Sequence, residues 1–401
     1  MLFELEDMQA QDAVIKVIGV GGCGGNAVDH MIAKGMTGVE FITINTDAQA
    51  LRRNRAPVQL QIGNSATKGL GAGGRPEVGR EAALEDRERI AELIDGADML
   101  FIAAGMGGGT GTGAAPVVAE VAKDLGILAV AVVTKPFMFE QAKRSRSAEQ
   151  GLKSLGEQVD SLIVIPNEKL REVLGGKTKL TDAFSAANDV LHSAVSGIAE
   201  IISNPGMINV DFADVRTVMS EVGMAMMGSA TAEGEGRARV AAEAAVKSPL
   251  LENVDLRGAR GVVVNITSDD SLTLDEYYEV METIKSFTAE EATVIVGTAL
   301  DEELGDTIRV TMVATGLGNP VNKAQPRPQV VIDNSTLRAT GTYDLGPAMQ
   351  VGYDPERDYD TPSVIRGNPN RQQRAMAAMD AAQAQGIDTL DIPAFLRKQA
   401  D

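Results

Sequence analysis

Five short apolar runs recur through the first 166 residues, each followed by a longer amphipathic stretch: AVIKVIGV from Ala13, EFITIN from Glu40, MLFIAA from Met99, ILAVAVVT from Ile127 and SLIVIP from Ser161. A strand that is apolar at every position has no face to offer water, so it belongs in a sheet covered on both sides. Alternation with helical stretches selects parallel strands joined by crossover helices, an α/β, Rossmann-like doubly wound domain over residues 13–180. Ligands in such a sheet collect where the strands end.

Two of those strand ends are glycine clusters. GVGGCGGNAV, Gly19 to Val28, closes the first strand and opens a helix, so its amides and the helix dipole can hold an anion. GMGGGTGTG, Gly105 to Gly113, closes the third strand just before AAPVVAEVA, where Pro116 suits a first helical turn. Six flexible glycines lose much conformational entropy on ordering, which a ligand repays. No stretch reads G-x-x-x-x-G-K-[ST], so phosphate charge would be met by amides, the Thr110 and Thr112 hydroxyls and a bound metal. Taken alone, the first cluster also reads as the dinucleotide fingerprint Gly19-x-Gly21-x-x-Gly24 with Asp47 at ribose distance, which keeps an NAD(P)-dependent oxidoreductase open as the alternative. That enzyme has no use for the second loop. A ligand-free tight turn is the plainer reading of the first.

Beyond the strands, TDAFSAANDVLHSAVSGIAEII begins a central helix over 181–203, with Phe184, Ala187, Leu191, Val195, Ile198 and Ile202 on one face. ARGVVVNIT, ATVIVGT and TIRVTMVAT then make a smaller α+β domain within 204–317. Seven of the 15 prolines fall in 318–386, a flexible linker of balanced charge, so the net charge of −19 belongs to the folded part. That field repels phosphate backbones, which argues against nucleic acid as a partner. The closing segment 387–401, IDTLDIPAFLRKQAD, has apolar residues with no domain left to pack on, as a docking peptide would. The acidic extension 1–12 lacks the pattern of a secretion signal, and the longest apolar run, Leu125 to Val133, is well below the roughly 20 residues of a membrane span, so a cytoplasmic protein without membrane insertion is expected. The single cysteine, Cys23, forbids an internal disulfide; beside a helix N-terminus it is expected to be exposed and acidified.

GGGTGTG resembles the signature loop of the tubulin/FtsZ family of GTPases, NVDFADV at Asn209 to Val215 resembles that family's catalytic loop, and DIPAFLRKQ resembles the adaptor-binding tail of its bacterial members. The resemblance implies a GTP- and GDP-binding GTPase that polymerises head to tail with copies of itself at the mid-cell division ring beneath the inner membrane. It implies phosphate contacts from Gly22, Cys23, Gly24, Gly25 and Asn26 and from Gly109, Thr110 and Gly111, and ribose and phosphate contacts from Glu140 and Arg144. Phe184 and Asn188 match the guanine positions. Asp211 and Asp214 would polarise water on the next subunit's nucleotide, with Asn209 orienting the γ-phosphate side. Asp391, Ile392, Pro393, Phe395 and Leu396 would engage membrane-tethering division adaptors and assembly regulators. Mg²⁺ would be held mainly by phosphates and water.

Plainer readings stand beside several of these. Glu140 and Arg144 at i, i+4 are the spacing of a surface ion pair on one helix face, Phe184 suits a core, and two acids at a helix start suit a cap. A nucleotide-gated scaffold without useful hydrolysis is a third reading of the whole. His30 and His192 read as surface or helix-packing residues rather than catalysts, and nothing resembles a Cys/His metal cluster.

Overall fold

The computed structural model describes residues 13–317 apart from 176, 204, 205, 209, 222, 252–255 and 290. Asn209, the linker and the tail residues Asp391, Ile392, Pro393, Phe395 and Leu396 lie outside the described residues.

The first half runs β1 (Ile15–Val20), α1 (Gly21–Ala33), β2 (Glu40–Asn45), α2 (Ala48–Arg53), β3 (Val58–Gln61), α3 (Asn64–Thr67), α4 (Pro76–Glu85), α5 (Arg87–Ile94), β4 (Met99–Gly105), α6 (Thr110–Asp124), β5 (Leu128–Lys135), α7 (Ala142–Gly156), β6 (Ser161–Pro166) and α8 (Asn167–Leu174). The central α9 (Leu180–Ser203) leads to α10 (Phe212–Met219), β7 (Met224–Glu233), α11 (Arg237–Val246), β8 (Gly261–Ser268), α12 (Leu274–Phe287), β9 (Thr293–Leu300) and β10 (Thr307–Leu317).

Alternate residues of one strand serve opposite faces, and both faces are buried. Met99, Phe101 and Ala103 of β4 pack with α1 and α9, whereas Leu100, Ile102 and Ala104 pack with α4, α5 and α6. A third core joins α11 and α12 to β8 and β10. The strands form one sheet in the order β3-β2-β1-β4-β5-β6-β7-β10-β8-β9. The two halves therefore share a sheet, joined where β6 and β7 pair in parallel at Leu162↔Met224 and Ile163↔Ala225.

Two strands escaped the pattern of apolar runs, and two expectations are corrected. β7, sequence MAMMGSATAE, escapes a propensity reading because Met and Ala carry little strand preference; antiparallel pairing along β10, from Thr307↔Glu233 to Leu317↔Met224, makes it a strand. β3, VQLQ, is short and half-polar and is held by β2. Pro116 lies inside α6, which starts six residues earlier at Thr110. Phe184 is 42% exposed and leaves the apolar stripe of α9, which is built from Ala187, Leu191, Ala194, Val195 and Ile198.

Candidate functional site

β1 and β4 are parallel neighbours in register, Val20↔Ala104, so both turn into helices at the same sheet edge. Neither helix start is closed by a side-chain cap, which leaves the first-turn amides of α1 and α6 for another acceptor. Gly21 has φ 74°, and a Cβ there would stand 2.9 Å from the Gly111 nitrogen, so the two loops meet backbone to backbone. Between them opens a cavity of about 570 Å³, inside the range of roughly 300–1,000 Å³ usual for small-molecule sites. Gly22, Cys23 and Asn26 line it from the first loop, and Gly108, Gly109, Thr110 and Gly111 from the second.

Two glycines of the first loop are closely packed. A Cβ on Gly24 would lie 2.2 Å from the Ala103 carbonyl oxygen, and the Gly25 carbonyl accepts a 2.8 Å bond from Asn54; neither lines the cavity. The hydroxyls divide as well. Thr110 lines the cavity and is hydrogen-bonded to Thr46 at 2.7 Å, whereas the Thr112 hydroxyl accepts from the Gly107 N–H at 2.8 Å and braces the loop.

A third glycine segment escaped the sequence reading. Gly71, Gly73 and Gly74, all at positive φ, and the exposed Leu70 close another wall. Their signal was the density of GLGAGG after Lys68. Asp47 lines the cavity too, but its Oδ1 caps α2, accepting from the Gln49 and Ala50 amides at 2.8 and 3.3 Å.

The far end of the cavity brings Glu140, Arg144, Phe184 and Asn188 together. Glu140 and Arg144 form an ion pair, though not on one helix: Gln141 at φ 79° separates a 3₁₀ turn, Met138–Glu140, from α7. Glu140 also accepts from the Phe137 N–H at 3.0 Å. Phe184 meets the buried Phe137 edge to face at 5.4 Å and leaves its own ring largely open. Asn167, the first residue of α8, is 4% exposed and lines the same cavity, and its Oδ1 has no hydrogen-bond partner. A buried acceptor left unpaired costs about 1–3 kcal/mol, so a ligand's donor would find a partner here. The lining side chains carry two carboxylates, Asp47 and Glu140, against the Arg144 guanidinium. An anionic ligand here would therefore be met chiefly by backbone amides and Arg144.

Cys23 corrects its expectation. The thiol is half-buried, 3.7 Å from the Thr134 hydroxyl, and burial pushes it above its ordinary range, outweighing the downward pull of that hydroxyl. His30 on α1 contacts Asp189 on α9 at 2.8 Å, while burial, then the Arg309 guanidinium, push His192 down to about 4.

Asp211 and Asp214 are elsewhere. Both are exposed at the start of α10, neither lines the cavity, and Asp211 occupies the cap position without making a side-chain cap bond. Neither makes a side-chain cap bond, though both stand at the end of α10 where the helix dipole favours a carboxylate. No group of three or more His, Cys, Asp or Glu able to hold a metal occurs among the described residues.

The model of the Tubulin/FtsZ family GTPase domain matches residues 14–175, and that of the FtsZ family C-terminal domain matches 223–318. The chain belongs to the tubulin/FtsZ family. The cell division protein FtsZ of Pseudomonas aeruginosa is 57% identical over 404 residues, covering 100% of both chains, and that of Coxiella burnetii is 54% identical over 397 residues, covering 99% of each. The solved structure of an empty FtsZ dimer from M. jannaschii superposes with TM-score 0.74 at 46% identity, over 78% of this chain and 90% of that one. The GDP-bound CetZ1 monomer of Haloferax volcanii, 20% identical with TM-score 0.67 over 77% and 96%, shares the fold. As a family member the chain is a tubulin-like cell-division GTPase that binds GTP and GDP. The oxidoreductase alternative falls with that membership, and Asp47, whose Oδ1 is spent on capping α2, had little to offer it. No helix among the described residues is long and apolar enough to cross a membrane.

Proposed function

We propose that this GTPase works as a head-to-tail polymer, in which each nucleotide pocket is completed by Asp211 and Asp214 of the next subunit. The observation that carries the reading is the placement of these two carboxylates: exposed, uncapped and outside their own cavity. Apolar exposure supports it at both ends. Leu70 is 82% and Met138 74% exposed near the pocket, and Met207, 68% exposed, stands just before the Asp211 loop. A contact between two different surfaces of one chain repeats without closing and makes a filament. The solved relative described as a dimer is in keeping with self-association.

In this scheme the α1 and α6 amides and Arg144 hold the phosphates, Glu140 the ribose, and Phe184 the base by stacking. Asn188 and the unpaired Asn167 oxygen meet the base edge, where guanine offers N–H donors. The neighbour's Asp211 and Asp214 orient a water in line with the γ-phosphate and draw on its proton as it attacks, while Asn209 would orient the γ-phosphate side. Phosphoryl transfer depends on alignment and charge stabilisation, so assembly itself completes the catalyst. Mg²⁺ would neutralise phosphate charge, held by phosphates and water. Residues Asp391 to Leu396 would recruit membrane-tethering adaptors and assembly regulators, holding a cytoplasmic filament beneath the inner membrane at mid-cell.

The test is GTP hydrolysis per molecule as protein concentration passes the assembly threshold, with GDP and ATP controls by light scattering. Specific activity should rise from near zero. Asp214→Asn should bind GTP and form persistent filaments; Thr110→Ala, defective in its pocket, should regain activity when mixed with it. Constant specific activity would refute a divided site.

A further inference from the structure

α10 is anchored along its back. Val215, Val218 and Met219 are buried, and the Thr315 hydroxyl donates to the Val218 carbonyl at 2.8 Å. Its exposed side carries Asp211, Asp214 and Arg216. Arg216 bridges from α10 to a neighbouring turn: its Nη2 donates a 2.7 Å hydrogen bond to the Gly126 carbonyl, and the guanidinium lies over the ring of Phe212, the first residue of α10, 5.8 Å from the centroid.

Gly126 closes the C-terminal turn of α6, with φ 73° and its N–H donated to the Lys123 carbonyl at 3.1 Å. The turn stands beside the negative end of the helix dipole, where a guanidinium is favoured. The opposite end of α6 is Thr110, in the second nucleotide loop; the helix is 15 residues long, so its ends lie about 22 Å apart. Most of the helix is buried between those ends, which makes it a stiff element. One side chain thus fastens the helix that bears the two carboxylates to the helix that starts in the nucleotide pocket of the same subunit.

We propose that Arg216 is a positioning residue for GTP hydrolysis: through Gly126 and Phe212 it fixes the angle at which Asp211 and Asp214 are presented to the next subunit. The proposal rests on the reading that these carboxylates serve the neighbour's nucleotide. Arg216 stands outside the cavity, so its loss leaves nucleotide affinity alone and frees α10 to rock on its buried face. Misalignment by about 1 Å lowers rates by up to about 100-fold; with the back of α10 still anchored, a fall of about tenfold is expected.

The experiment uses the full chain above its assembly threshold, with turnover normalised to pelleted polymer, for Arg216→Ala, Arg216→Lys and Asp214→Asn. Arg216→Ala should lower kcat per assembled subunit about tenfold, with KM for GTP, GDP affinity of the unassembled protein and melting temperature unchanged. Arg216→Lys should recover part of the rate, since an ammonium reaches a carbonyl but lacks the planar group that covers Phe212. Unchanged turnover in Arg216→Ala overturns the proposal. So does a melting temperature that falls with the rate, which makes the role structural, or failure to form polymer, which makes Arg216 an assembly contact. A lysine variant as slow as the alanine removes the Gly126 bond as the cause and overturns it too. Full turnover in Asp214→Asn brings down the divided site and this proposal with it; lost turnover there beside normal turnover in Arg216→Ala brings down the role of Arg216 alone.

Discussion

Replacing Asn167 by alanine should move binding and stability in different directions. In the ligand-free protein the Asn167 Oδ1 is buried without a partner, so the wild type already bears the penalty of an unmet acceptor. Removing the amide removes that penalty, and the ligand-free melting temperature should hold or rise. The nucleotide-bound protein is different, because the base supplies the missing donor and the bond is made only there. Its loss should weaken binding by about 1–3 kcal/mol, or roughly 5- to 150-fold. The assay is titration of GDP by calorimetry below the assembly threshold, beside thermal unfolding with and without GDP. The gain in melting temperature on adding GDP should shrink in the variant while the ligand-free value does not fall. Unchanged GDP affinity would refute the argument, since the orphaned oxygen would then face something other than the ligand.

Alkylation of Cys23 should be slow at neutral pH, because burial raises the thiol, and slower still with GDP bound; equal rates with and without GDP would place the thiol outside the site. His192, held at about 4 against its usual 6.5, binds a proton more readily in the unfolded chain between those values, so stability should fall as pH drops through that window, by on the order of 2 kcal/mol. His192→Gln should flatten that limb in denaturant titrations at pH 6.5 and 4, and an unchanged slope would assign it to other groups. Deleting Ile387 to Asp401 should spare hydrolysis and assembly and abolish only adaptor recruitment; a truncated chain unable to sediment with GTP would make the tail part of the polymer contact.

The parallel half of the fold was legible because its strands are buried on both faces and therefore continuously apolar. EFITIN and SLIVIP begin and end as β2 and β6 do. β7 was not, since Met and Ala become a strand only through the neighbour they pair with. The phosphate side of the cavity was readable from glycine spacing. Asn167 was missed although it follows the end of β6 at the ligand-bearing edge, and applying the strand-end rule to every strand would have found it. Glu140 and Arg144 came together as expected, but Gln141 at φ 79° breaks the helix between them, a conformation that residue type does not announce.

The pairing of β6 with β7 is a two-rung ladder, Leu162↔Met224 and Ile163↔Ala225, whereas β8 and β9 are laddered from Gly261↔Thr293 to Ser268↔Leu300. Torsional stiffness in a sheet comes from its rungs, so the seam between the halves is its most compliant line. The angle across that line falls to α9, whose buried side chains pack in one core with strand residues from both halves, Val132 and Ile163 on one side and Val263 and Val313 on the other. A single helix thereby works as the beam across a soft joint. Substitutions along its apolar stripe would retune the angle between pocket and carboxylates without touching either, and a load applied along a filament would be felt first at those two rungs.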